Sequence, residues 1–67
     1  MNFKDYADIL QFAIEREKET AAFYSECSRQ EIFSGIRQML AHFAAEERKH
    51  KLDLEMMYDD YTAKIGD

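Results

Sequence analysis

The apolar residues in the first half of the chain recur with the period of an α-helix. From Phe3 to about Ser28 they fall three or four positions apart, and neither proline nor glycine interrupts them. We therefore predict a first helix over residues 3–28, with Asn2 as its N-cap. The apolar stripe of this helix comprises Phe3, Tyr6, Leu10, Ala13, Ile14, Ala21, Tyr24 and Cys27, and Glu17 lies within it.

The second half of the chain continues the helical pattern over a longer stretch. Ser34 is a suitable N-cap, and Gly66 stands where a helix would stop. We predict a second helix over residues 35–64 and a short connection before it. Residues 1–67 then form a single all-α unit, an antiparallel two-helix hairpin. The second stripe comprises Ile36, Met39, Leu40, Phe43, Leu54, Met57 and Tyr61, and Glu47 and His50 lie within it.

The length of the chain limits how the hairpin can be stabilised. A chain of 67 residues buries a small core, and its one cysteine excludes an intrachain disulfide. Ile9, Phe12 and Phe23 are apolar residues that lie off the main stripe of the first helix. We therefore expect a second copy to pack on the apolar face and complete a four-helix bundle, as a homodimer or a larger homo-oligomer.

Charge and hydropathy exclude several classes of partner. The net charge of −5 argues against nucleic acid, because phosphate binding needs a basic surface. No apolar run approaches the ~20 residues of a membrane-spanning helix, so no membrane partner is expected. The N-terminus lacks the basic and apolar segments of a signal peptide, and a cytoplasmic location is the default expectation.

Three polar residues interrupt the apolar stripes and suggest a metal site. Glu47 and His50 are three residues apart, a spacing that places both side chains on one helix face. Because a buried charge is costly unless it is paired or binds metal, we predict Glu17, Glu47 and His50 as metal ligands. Two paired chains would supply four carboxylates and two imidazoles, the donor set of carboxylate-bridged di-iron bundles. This set suits two iron ions per pair of chains, with manganese or zinc as substitutes.

Two segments resemble the metal-binding motifs of rubrerythrin-type ferritin-like proteins. Residues 17–24, EKETAAFY, are similar to the first-helix motif in which an iron-binding Glu precedes an aromatic residue by seven positions. Residues 46–50, EERKH, are similar to the Glu-x-x-His motif of the same proteins. The resemblance covers roughly residues 6–58. The usual family member carries four helices and both half-sites in one chain, whereas this chain resembles the two-helix encapsulated ferritins, whose di-iron centre forms between two chains.

The resemblance implies a ferroxidase-type oxidoreductase that oxidises Fe(II) and is linked to iron storage or detoxification. It implies Glu17, Glu47 and His50 as iron ligands and Tyr24 as a neighbour of the metals. It further implies Glu19 as a residue of a secondary metal site, with a solvated charge as the alternative. An encapsulating shell protein, and hence a location inside a protein nanocompartment, is a further implication. The chain shows no evident C-terminal targeting peptide of the kind that loads such proteins into a shell.

Several alternatives stay open at this point. A rubrerythrin-like peroxide reductase would need an electron donor, and the sequence has no CxxC pair to carry one. A non-catalytic helical interaction module would place the acidic residues on a docking surface. Glu46 is a rival partner for His50 at a spacing of four, and we assign it to the surroundings of the site or to solvent. We expect His42 to be exposed, Cys27 to be a small buried apolar residue and Lys51 to pair with a carboxylate.

Overall fold

The computed structural model describes residues 4–65, which form two α-helices and no strand. Helix α1 spans Tyr6–Gln30 and helix α2 spans Ser34–Ile65. The prediction of an all-helical chain is confirmed, although α1 continues beyond its predicted end near Ser28. As far as the structure describes them, neither helix has the long apolar stretch needed to cross a membrane.

Helix α1 begins at an aspartate cap. Asp5 has extended backbone angles, and its carboxylate accepts a hydrogen bond of 3.1 Å from the amide of Asp8. The carboxylate of Asp8 also lies in the first turn, where it interacts favourably with the positive end of the helix dipole. The predicted helix over residues 3–28 is wrong at residues 4 and 5, because Asp5 is the cap and the helix begins at Tyr6. Phe3 and the predicted cap, Asn2, lie outside the described residues.

Glu31 turns the chain between the two helices. Its carboxylate accepts hydrogen bonds from the amides of Ile32, at 2.9 Å, and Phe33, at 3.2 Å. Ser34, predicted as the N-cap of α2, is instead its first helical residue. The reason is that the carbonyl of Phe33 already accepts a hydrogen bond from the amide of Arg37, at 3.0 Å.

The two helices run antiparallel along their whole described length. At the end near the termini, the rings of Tyr6 and Tyr61 meet edge to face with their centroids 5.0 Å apart. At the end near the connection, the Ser28 hydroxyl donates to the carbonyl of Arg37 at 2.9 Å. Residues of increasing number along α1 therefore face residues of decreasing number along α2, as in the predicted hairpin.

The core of a single hairpin is thin. Among the described residues, the buried apolar side chains are Leu10, Ala21 and Ala44. Two helices can cover only one narrow stripe of each other, so most large apolar side chains remain in contact with water. Those with substantial exposure are Tyr6, Ile9, Phe12, Phe23, Ile32, Phe33, Ile36, Met39, Phe43, Leu52, Met56 and Met57.

Candidate metal centre

Glu17, Glu47 and His50 lie together near the middle of the hairpin. One potential ligand atom from each residue lies within 4.8 Å of the other two. Glu47 and His50 share a face of α2 because they are three residues apart, and the antiparallel register brings Glu17 of α1 opposite them. The structure thus brings together the three residues that the apolar stripes singled out.

The Nδ1 atom of His50 is the centre of the cluster. It lies 3.2 Å from Oε2 of Glu17 and 3.8 Å from Oε1 of Glu47. When Nδ1 carries a proton, it can donate that proton to a hydrogen bond with Glu17. When Nδ1 is unprotonated, the same atoms present one nitrogen and two carboxylate groups to a cation.

The cluster is sheltered on one side and open on the other. The side chains of Glu17 and Glu47 are 23% and 21% exposed, whereas the side chain of His50 is 53% exposed. His50 lies at a seven-residue spacing from Phe43 and Met57, and both of these apolar side chains are also exposed. The open side of the cluster is therefore continuous with the uncovered apolar face of α2.

The proximity of the two carboxyl groups raises the pKa of Glu47. The largest cause is a hydrogen bond with the Glu17 carboxyl, followed by desolvation and then by the negative charge of Glu17. His50 acts in the opposite direction, and Glu46 adds a smaller upward contribution. Two carboxylates this close repel each other, so the site favours a proton or a cation between them.

The donor set fits a divalent cation of the first transition series. Carboxylate oxygens together with one imidazole nitrogen suit iron, manganese and zinc better than a soft metal ion. The two carboxylates of one chain carry −2, which balances the charge of one divalent ion. Three donors from one hairpin leave coordination positions that water, substrate or a second chain would have to fill.

Tyr24 packs in an aromatic cluster two turns from Glu17. Its ring centroid lies 5.6 Å from that of Phe23 and 5.4 Å from that of Phe43. Within residues 4–65, its hydroxyl takes part in no hydrogen bond. The packing of its ring accounts for the position of Tyr24, and its expected place beside a metal stays a prediction.

The other acidic residues considered for the site lie outside the cluster. Glu46 is half-buried, and its carboxylate lies 3.6 Å from Nε2 of His42, a side chain that is exposed as predicted. Glu19 is exposed and has no ion pair among the described residues. Glu46 therefore acts on the cluster through its charge alone, and the suggested role of Glu19 in a second metal site stays a prediction.

The surroundings of Lys51 and Cys27 differ from each other. Lys51 pairs with a carboxylate as predicted, and its partner is Glu55, whose Oε2 lies 3.3 Å from the lysine Nζ. The prediction that Cys27 is buried is wrong for the single hairpin, in which Cys27 is half-buried. Its helix face is part of the apolar side that α2 does not reach, so a stripe position alone did not guarantee burial.

Comparison with protein families, with curated proteins and with solved structures found no match for this chain. The features of the chain that bear on its function are therefore the motifs at residues 17–24 and 46–50 and the geometry of the cluster. That geometry consists of two partly sheltered carboxyl groups and an accessible imidazole, with ligand atoms within 4.8 Å.

Proposed function

We propose that this chain is half of a ferritin-like di-iron protein that oxidises Fe(II) at a metal site shared between two chains, in iron storage or detoxification. The observation that carries the proposal is the convergence of Glu17, Glu47 and His50 from two helices, with ligand atoms within 4.8 Å. Clusters of exposed acidic residues are common, but this one lies on the apolar stripes of both helices and includes an imidazole.

The exposed apolar side chains support the pairing of two chains. Ile36, Phe43 and Met57 share the heptad row of His50 and are 40%, 38% and 44% exposed. A second copy on this face would remove them from water and would shelter the open side of the cluster. Each chain brings two carboxylates and one imidazole, so the pair has four negative charges, which two divalent ions balance.

The proposed roles of the protein groups follow from their positions. Glu17 and Glu47, whose proximity raises the pKa of Glu47, would hold the ions through their carboxylates. His50 would hold them through Nδ1, which lies 3.2 Å from Glu17 and 3.8 Å from Glu47. Bound iron would supply the electrons that oxygen or peroxide accepts. The net charge of −5 attracts Fe(II) as substrate.

The decisive experiment is an anaerobic Fe(II) titration of metal-free protein by calorimetry. We expect saturation at about one iron ion per chain, the stoichiometry of a two-ion site between two chains. Glu17→Gln and Glu47→Gln should abolish saturable binding. Glu15→Gln and Asp53→Asn are matched controls at exposed positions on the same helices and should retain it. A stoichiometry above one would indicate additional sites, for which Glu19 is the first candidate.

The absence of saturable binding would refute the metal site and favour the helical interaction module, which the exposed apolar side chains would also suit. Thermal unfolding separates the two functions independently. For a metal site, Fe(II) at about 100 times its dissociation constant should stabilise the protein by about 2.7 kcal/mol, and Glu47→Ala should abolish this gain. For an interaction module, metal should have no effect on the melting temperature of either protein.

A further inference from the structure

A second side of the hairpin carries two grooves of opposite charge, and none of the candidate metal ligands lines either of them. One groove, of about 700 Å³, has four basic lining residues and a single acidic one. We call it the basic groove; its charged residues are Lys18, Arg29, Arg48, Lys51 and Glu26, and its floor includes Ala21 and Ala44.

The other groove has the opposite character. It has a volume of about 580 Å³, three acidic lining residues and no basic one. We call it the acidic groove; its charged residues are Glu15, Glu55 and Asp59, and the remainder are Gln11, Ile14 and Tyr58. The helical spacing of these charges along the sequence is the signal by which both grooves could be predicted.

The two grooves lie end to end on the same side of the hairpin. Glu15 and Lys18 are three residues apart on α1, so they are neighbours on one helix face. Lys51 and Glu55 are four residues apart on α2 and form an ion pair of 3.3 Å. This side of the molecule therefore changes from basic to acidic along its length, with the basic end nearer the connection.

Each groove holds exposed charges that have no ionic partner among residues 4–65. In the basic groove, Lys18 forms no ion pair, and the guanidinium of Arg48 donates to a neutral acceptor, the hydroxyl of Ser25, at 2.6 Å. In the acidic groove, the carboxylates of Glu15 and Asp59 form no ion pair. The remaining basic residues of the basic groove are already paired, Arg29 with Glu26 and Lys51 with Glu55.

An apolar ridge of α2 runs along the same side. Arg48, Leu52, Met56 and Asp59 follow one another at spacings of four, four and three, so they share one helix face. Leu52 is 57% exposed and Met56 is 66% exposed. The order along this face is basic, apolar, apolar, acidic. Along a second copy of this helix that runs in the opposite direction, the order is acidic, apolar, apolar, basic. Opposite charges then meet at both ends, and the apolar side chains meet in the centre.

We propose that a second copy of this chain docks on this side about a two-fold axis, with the basic groove of each copy against the acidic groove of the other. In a two-fold interface the same surface serves both copies, so it must be complementary to itself. The antiparallel arrangement places Arg48 of one copy near Asp59 of the other and Leu52 near Met56. It pairs the four uncompensated charges of each copy.

Charge complementarity selects a second copy over other occupants. A polyanion would neutralise the basic groove but would be repelled by Glu15 and Asp59, and a cationic partner would be repelled by Lys18 and Arg48. A second copy satisfies both grooves at once. The interface requires no metal and lies apart from the apolar row of His50, so together with the proposed pairing it extends the assembly beyond two chains.

Sedimentation of metal-free protein tests this interface by charge reversal. We expect the mass of the assembly at low salt to exceed its mass at about 1 M salt, where the screening length is about 3 Å. The variants Lys18→Glu with Arg48→Glu, and Glu15→Lys with Asp59→Lys, should each show the high-salt mass at low salt. An equal mixture of the two variants should restore the larger mass, because an all-acidic side then meets an all-basic one.

Two controls make the outcome decisive. Lys4→Glu with Lys64→Glu makes the same change in net charge as Lys18→Glu with Arg48→Glu, lies outside both grooves and should leave the mass unchanged. The fourfold variant that combines both reversals keeps the net charge at −5 and should regain the wild-type mass. The proposal would be overturned if the charge reversals left the mass unchanged or if the control variant lowered the mass equally. It would also be overturned if the mixture of the two variants failed to restore the larger mass.

Discussion

At the scale of single residues, the two carboxyl groups of the candidate metal centre, Glu17 and Glu47, determine its affinity for protons. The pKa of Glu47 is raised in the folded chain, chiefly by its hydrogen bond with Glu17. In the absence of metal the folded state thus binds a proton more tightly than the unfolded state does. The same crowding would favour the proposed cation, because a cation relieves the repulsion that a proton would otherwise relieve.

The pH dependence of stability follows from the sign of this shift. The ordinary pKa of the carboxyl is 4.5, and the folded value lies above it. The stability that Glu47 contributes is therefore fully present below about pH 4.5 and is lost as the pH rises through the folded value. Glu47→Gln resembles the protonated form, so in metal-free protein its melting temperature should exceed that of the wild type increasingly as the pH rises towards neutral.

Thermal unfolding of metal-free protein between pH 4 and 7 measures this difference. Asp53→Asn is the matched control, since Asp53 is exposed and outside the cluster, and it should not show the same trend. A difference between wild type and Glu47→Gln that stays constant over this range would contradict the assignment.

At the scale of the elements, the caps decide where each helix begins. Asp5 satisfies the amide of Asp8, and Glu31 satisfies the amides of Ile32 and Phe33. Both side chains bind backbone donors that have no partner within a helix. The short turn at Glu31 keeps the helices adjacent, and this adjacency is what sets Glu17 opposite Glu47.

Removing the first cap should weaken the hairpin measurably. Asp5→Ala should lower the free energy of unfolding by about 1 kcal/mol, because it leaves an amide of the first turn unsatisfied. Asp5→Asn keeps an acceptor and should cost much less. Chemical denaturation measures both. Asp53→Ala, an exposed position within α2, is the control, and a loss at Asp53 equal to that at Asp5 would argue against the cap.

At the scale of the whole molecule, the hairpin leaves too much apolar surface exposed to be stable by burial alone. Its buried apolar side chains, among the residues described, are one leucine and two alanines. A domain of this size needs oligomerisation, a metal or a cross-link to supplement its core. The proposed pairing through the apolar row of His50 would provide oligomerisation and, by joining two half-sites, would also provide a metal site.

A lysine placed in the apolar row should separate the paired chains. Met57 is 44% exposed in the single hairpin, so Met57→Lys should not prevent the helices from forming. Burying its charge between two copies should raise the dissociation constant at least about tenfold, or ~1.4 kcal/mol, and weaken Fe(II) binding in parallel. Sedimentation equilibrium and the calorimetric titration measure the two effects. Gln38→Lys, which lies outside this row, should change neither.

The local sequence was sufficient to predict both helices but not the residues at which they begin and end. The spacing of apolar residues predicts both helices, because helical periodicity depends on neighbours within two turns. The cap residues were harder to predict from the sequence. Asn2, Asp5 and Ser34 are all acceptable cap residues, and which of them caps a helix depends on the amide that each side chain reaches. Burial was harder still: Cys27 occupies a stripe position yet is half-buried, because burial requires an element on that side.

By itself, the sequence determined two amphipathic helices joined by a short turn, and it determined that Glu17, Glu47 and His50 interrupt their apolar stripes. These properties are local and follow from side-chain spacing along a single helix. Only the tertiary structure decided the register between the helices. That register places His50 Nδ1 3.2 Å from Glu17 and sorts the surface charges into a basic and an acidic groove. A shift of one helix along the other would change every such pairing while leaving both sequence patterns intact.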